Sequence, residues 1–159
     1  MIIKTNHLDG NSGADDNDIV TWDTKYITGI TSVDKQHKEL VDLTNKLYHA
    51  CLHRSETMDT TFRDAMHRLV EYVCFHFKDE QVILEHIKYP NHFEHKKEHD
   101  NLIKDILEAS KSYGAGNKFV PNIFVRTLKD WIFSHIAVTD KLYSDFVHEQ
   151  KRKGLLLDL

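Results

Sequence analysis

The chain has 159 residues, enough for one domain around a single core. Its formal net charge of −4, with 29% charged residues of both signs, offers no basic patch and argues against a nucleic-acid partner. Residues Met1 to Gly10 lack the apolar run of a signal peptide and no stretch approaches the ~20 apolar residues of a membrane span, so no membrane association and a cytoplasmic location are expected.

Residues 1–20 carry the polar run Asp9 to Asp18, which has nothing to bury and is expected to form a flexible N-terminal arm. From Trp22 to Thr31 there are too few apolar residues to build a sheet, and Trp22 and Tyr26 should pack as the segment crosses the end of a bundle.

Four amphipathic helices follow. The first should open near Ser32 or Asp34, either a suitable cap, and run to about Arg54 with His37, Val41, Thr44, Tyr48 and Cys51 inward. The second, from about Asp59 to Lys88, places Phe62, Met66, Leu69, Val73, His76, Glu80, Ile83 and Ile87 on one face, and Tyr89-Pro90 stops it. The third runs from about Asn91 to Tyr113 with His92, His95, His99, Leu102, Ile106 and Ala109 inward, ended by Gly114-Ala115-Gly116. The fourth runs from about Pro121 to Lys151 and carries Leu128, Trp131, His135, Leu142 and Phe146. Spacings of three and four residues with short connections predict an all-α, antiparallel up-down-up-down four-helix bundle over 21–150, with a C-terminal tail at 151–159. Cys51 and Cys74 form no Cys-x-x-Cys pair and sit in apolar patterns, so both should be buried reduced thiols.

Twelve histidines are many for this length, and seven of them (His7, His49, His53, His67, His86, His92 and His148) read as ordinary surface or packing residues. The other five fall on the inward stripes together with Glu80 and Asp140. Buried imidazoles and carboxylates are costly unless hydrogen-bonded, paired or metal-bound. Positions i and i+4 stand within ~40° of each other on a helix, so His76 with Glu80 and His95 with His99 each face one way. Asp140 lies five residues after His135, ~140° around a regular helix. A one-residue π-bulge would bring the two into line and would turn Tyr143 and Val147 inward in place of Leu142 and Phe146. A hydrogen bond from i to i+5, or a missing α-helical bond, is therefore expected between Ser134 and Leu142.

Seven groups exceed what one zinc ion takes, about four ligands, and point to two metal ions. The paired Glu-x-x-His motifs of carboxylate-rich di-iron oxidases are absent, because no glutamate precedes a histidine by three. The nitrogen-rich set favours iron over magnesium or calcium.

The stretches Asp34-Lys-Gln-His37, His76-Phe-Lys-Asp-Glu80, His95-Lys-Lys-Glu-His99 and Trp131-Ile-Phe-Ser-His135-Ile-Ala-Val-Thr-Asp140 occur in this order. Trp22-Asp23, Gly29-Ile30 and Tyr89-Pro90 frame them. With these the chain resembles the hemerythrins, specifically the single-domain bacterial ones, from about Trp22 to Phe146. The resemblance implies reversible dioxygen binding at two non-haem irons bridged by oxide or hydroxide. His95, His99 and His135 would hold one iron, His37 and His76 the other, with Glu80 and Asp140 bridging. The iron with two histidines would then be five-coordinate, and dioxygen would enter there. Leu40, Phe77, Trp131 and Ile136 would line a dry pocket, although plain bundle core accounts for them equally well. No acid, base or nucleophile beyond the ligands is placed to process a substrate, so a binding protein rather than an enzyme is expected. The alternatives are an oxygen or redox sensor acting through a partner protein, and a di-iron enzyme acting on peroxide or nitric oxide. The tail Lys151 to Leu159 is the candidate contact element for such a partner, and a frayed end explains it more simply.

Overall fold

A computed structural model of the chain describes residues 17–52 and 57–155. Most of the expected arm, the helix end at His53 and Arg54, and the last four residues of the tail lie outside the described residues, as does His7.

Helix α1 spans Thr31–Leu52, α2 Met58–His86 and α3 His92–Gly114. The fourth helix is continuous but changes pitch, running as α4 over Val120–Trp131, a π-helical segment over Ile132–Thr139, and α5 over Asp140–Arg152. Among the described residues there is no strand. Each helix packs on the next, and the fourth packs back on the first, closing a four-helix ring. Connections of a few residues between packed neighbours force alternating directions. Among the described residues no helix is long and apolar enough to cross a membrane.

The helix ends follow local chemistry. Neither Ser32 nor Asp34 is the residue at which α1 begins. Asp34 instead reaches back from the first turn, its Oδ1 accepting from the Thr28 amide at 2.6 Å and its Oδ2 from the Gly29 amide at 3.1 Å. This satisfies amides that precede the helix and places a negative charge at its positive end. Helix α2 stops before the expected Pro90, because Lys88 adopts a left-handed φ of 54° and the Tyr89 amide closes back on the Leu84 carbonyl at 2.9 Å.

The segment before α1 does not cross the end of the bundle. It runs lengthwise beside α1, antiparallel to it. Asp18 pairs with His49 at 2.8 Å, the Asn45 amide grips both backbone groups of Val20 at 2.8 and 3.0 Å, and the Tyr26 carbonyl lies 3.5 Å from His37 Nδ1. Its far end is fastened to α5, where Ser144 Oγ donates to the Thr28 carbonyl at 2.6 Å and His148 Nε2 at 3.1 Å. Gly29 has a φ of +81°, and a Cβ there would meet the His148 ring at 3.0 Å, so this close approach to α5 requires glycine. Lengthwise packing buries Val20 and Tyr26 and half-buries Trp22, which a crossing over the helix ends would leave wetter.

Stripe positions also differ, with Leu47 rather than Tyr48 and Leu84 rather than Ile83 buried, and Cys74, expected to be buried, is exposed while Cys51 is buried. Cys74 directly follows inward-facing Val73 and so stands ~100° off the inner face.

The core has two apolar parts. A large cluster includes Leu40, Val73, Phe77, Leu102, Leu128 and Ile136. A smaller one contains Ile30, Val33, Leu84, Ile87, Tyr89, Tyr143 and Val147. Between them lies a polar layer, since on α1 His37 falls between Val33 and Leu40, and on the fourth helix Asp140 falls between Ile136 and Tyr143.

Candidate metal centre

All seven candidate side chains meet in that layer. His37, His76, Glu80, His95, His99, His135 and Asp140 are each between 0% and 3% exposed. Their ligand atoms form two overlapping sets, one of Glu80, His95, His99, His135 and Asp140, and one of His37, His76 and Glu80. Within each set the atoms lie within 4.8 Å of one another. Glu80 Oε2 is 3.3 Å from His95 Nε2, 3.2 Å from His99 Nε2 and 3.6 Å from His76 Nε2. Asp140 spans the same gap, with Oδ1 3.1 Å from His135 Nε2 and Oδ2 3.1 Å from His37 Nε2.

The π-helical segment is what brings Asp140 in. Its amide donates to the His135 carbonyl five residues back, as the sequence spacing predicts. Tyr143 and Val147 are accordingly buried and Leu142 is exposed.

Three imidazoles are held from behind in one tautomer. The Gln36 amide nitrogen donates to Asp79 Oδ2 at 2.9 Å, which turns its oxygen toward His76 Nδ1 at 2.7 Å. His135 Nδ1 meets Glu98 Oε2 at 2.6 Å, and His37 Nδ1 faces the Tyr26 carbonyl. Each of these oxygens can only accept, so each Nδ1 carries the proton and Nε2 is the atom presented inward. Sequence reasoning missed Gln36 and Glu98. Each immediately precedes a candidate ligand on its own helix and holds a histidine of the next helix. That adjacency was the one signal available.

Tyr143 was expected as core, but its hydroxyl does more, donating to Glu80 Oε1 at 2.6 Å. Phe77 stacks on His99 with ring centres 3.7 Å apart, and Trp131 stacks on His135 at 4.3 Å. Leu40 and Ile136 are fully buried in the large cluster, and Trp131 is half-buried against it. His92, left outside the set, is partly buried and donates Nδ1–H to the Tyr89 carbonyl at 3.0 Å.

The layer's electrostatics call for cations. Burial would raise the carboxyls of Glu80 and Asp140, yet both are held well below the carboxylate range, Glu80 by His76, His95 and His99, Asp140 by His135 and His37. Burial drives the His76 pKa down to about 3. Burial also opposes charge on His135, but Asp140 and Glu98 outweigh it and raise its pKa to about 10. Meanwhile His37 Nε2, His76 Nε2 and both oxygens of Asp140 have no hydrogen-bond partner within the protein. Buried polar atoms are ordinarily satisfied. Here the unsatisfied atoms converge with ionised carboxylates and lone pairs, which suits metal cations bound by nitrogen and oxygen.

Comparison with known proteins agrees with this geometry. The family model described as "Hemerythrin HHE cation binding domain" matches residues 28–147. A protein named bacteriohemerythrin from Methylococcus capsulatus is 32% identical over 126 residues, covering 79% of this chain and 94% of that one. A bacteriohemerythrin from Pseudomonas aeruginosa is 30% identical over 128 residues, with 80% and 81% covered. A hemerythrin-like protein from Naegleria gruberi is 26% identical over 122 residues, with 77% and 88% covered. With a cation-binding family matched over residues 28–147, and a buried His/Glu/Asp cluster at the middle of the bundle, the chain belongs to the hemerythrin family.

Proposed function

We propose that this protein binds dioxygen reversibly at two non-haem iron ions, serving in oxygen storage, delivery or transport in the cytoplasm. The observation that carries the reading is the division of the buried cluster into a five-donor and a three-donor set sharing Glu80. His95, His99 and His135 would hold one iron and His37 and His76 the other, with Glu80, Asp140 and an oxide or hydroxide bridging. When bound, such a pair supplies the two electrons that dioxygen takes up on binding and returns on release.

The chain's own residues account for reversibility. Gln36, Glu98 and the Tyr26 carbonyl fix ring tautomers, so the imidazoles need not reorient when charge changes. Tyr143 neutralises part of the charge on Glu80 through its hydrogen bond. Leu40, Phe77, Trp131 and Ile136, packed beside the cluster, would exclude water from it. Gln36, Glu98 and Tyr143 each hold a cluster side chain through a hydrogen bond, which favours a carrier over a catalyst.

The test is an absorption spectrum of iron-loaded, reduced protein under argon, in air, and under argon again, alongside metal analysis. A visible band that appears in air and disappears on purging, at ~2 irons per chain, is the expected result. A band that never forms, one that decays without reversing, or a single iron per chain would overturn the proposal.

A further inference from the structure

We infer that the two halves of the centre differ in affinity, so that the His95/His99/His135 half takes a divalent metal first, with Glu98 and Gln36 as the positioning residues that set the order. The inference rests on the two-metal reading of the cluster and goes beyond it.

Two independent features point the same way. The first is the number of donors already assembled. Five ligand atoms lie within mutual reach around His95, His99 and His135, against three around His37 and His76. A metal entering the first half meets five donors already gathered, whereas in the second half Asp140 stands 3.1 Å from His37 but outside the mutually close set of His37, His76 and Glu80. Prior assembly lowers the cost of binding.

The second feature is the charge behind the rings. His135 leans on the carboxylate of Glu98 at 2.6 Å, while His76 leans on the neutral amide oxygen of Gln36 at 2.7 Å. His37 has only a backbone carbonyl at 3.5 Å. A carboxylate behind an imidazole raises its basicity as a ligand, and losing such a partner weakens metal affinity about 10–100-fold. Glu80 belongs to both sets and Asp140 stands 3.1 Å from both His135 and His37, so Glu98 is an additional negative charge on one side. The carboxylate of Asp79 reaches His76 only through the Gln36 amide.

The Glu98 side chain is 44% exposed, so its replacement by glutamine disturbs little packing. Gln36→Glu would even out the asymmetry by placing a carboxylate behind His76 as well as behind His135.

The experiment adds cobalt(II) to the full-length, metal-free protein and counts bound ions by native mass spectrometry, with cobalt absorption as a second readout. At one equivalent, the wild type should be mainly the singly loaded species. His37→Ala should keep that species and His135→Ala should lose it. Glu98→Gln should weaken the first step about 10–100-fold while moving the second little, and Gln36→Glu should bring the two steps together. Should Glu98→Gln fail to fold by circular dichroism, the His37→Ala and His135→Ala pair still decides the order. A mixture of empty and doubly loaded wild type at one equivalent would overturn the inference. So would survival of the singly loaded species in His135→Ala but not in His37→Ala, or a Glu98→Gln variant that binds its first ion as tightly as wild type. A wild type that never takes a second ion would instead refute the two-metal reading beneath it.

Discussion

The backbone amide of Asp140 donates to the carbonyl of His135, five residues earlier, where a regular α-helix would bond four apart. This single relationship puts both side chains on the inner face and sets Asp140 Oδ1 3.1 Å from His135 Nε2. A π turn is equivalent to one residue inserted into an α-helix. Deleting exposed Val138 should therefore close the segment into a regular helix, with the His135 and Asp140 side chains at i and i+4 on one face and Tyr143 and Val147 still inward. Inserting an alanine after Val138 should swing Asp140 a further ~100° away. The deletion is expected to melt at or above wild type and keep bound metal, and the insertion to lose it. Equal metal loss in both, measured by elemental analysis, would show that the wide turn itself is required.

Tyr143→Phe removes the hydroxyl that donates to Glu80 Oε1 while leaving the ring's packing intact. A hydrogen bond to a charged group contributes about 1.5–3 kcal/mol. Urea denaturation of metal-free protein should show a loss of that size. A loss below about 0.5 kcal/mol, the range of neutral surface changes, would mean that another group satisfies Glu80.

The histidines of the layer pull stability in opposite directions with pH. His135 has its folded pKa raised to about 10, so its contribution is fully present below the unfolded value of ~6.5 and is lost as pH rises through about 10. His76 has its folded pKa lowered to about 3, so the unfolded chain binds the extra proton and stability falls as pH drops below ~6.5. The depressed carboxyls of Glu80 and Asp140 add to the acid-side loss. Metal-free protein should thus lose melting temperature on going from pH 7 to 10, whereas metal-loaded protein should not, because a metal replaces the His135 proton. Parallel melting curves for the two forms over that range would contradict this.

His76→Ala should abolish the oxygenated absorption band, since it removes one of two histidines from the half where dioxygen is proposed to enter. His92→Ala should leave the band in place and cost only local stability, because His92 ties to the Tyr89 carbonyl at the start of α3. Comparable loss of the band in both variants would place His92 in the centre.

Opening the apolar packing beside the cluster should shorten the life of the oxygenated form. Leu40→Ala empties a fully buried position and Trp131→Ala removes the ring stacked on His135. A void beside polar groups is the kind that admits water. Faster autoxidation in air is expected for both variants, and rates equal to wild type would return these residues to a packing role alone.

The periodic placement of apolar residues was enough to locate four helices, because a helix buries one face and its sequence must repeat at that period. It also placed all seven cluster residues, since polar side chains on a buried stripe betray themselves by the company they keep. Even the widened turn was legible, in the five residues that separate His135 from Asp140.

What the sequence left open were relations across helices. Glu98 stands ~100° from His99 on its own helix and reads as one more charge on a solvated face. Only the approach of the fourth helix turns it onto His135. Gln36 is the same case, one residue before His37 and useful only to His76 on α2. The path of residues 18–30 along α1, and the exposure of Cys74, likewise depended on which surfaces neighbouring elements cover. Local sequence determines which face of a helix is apolar, because that follows from the angle between successive residues. Which side chain on the edge of that face finds a partner was decided by tertiary packing, because the partner belongs to another helix whose distance and rotation no single helix encodes.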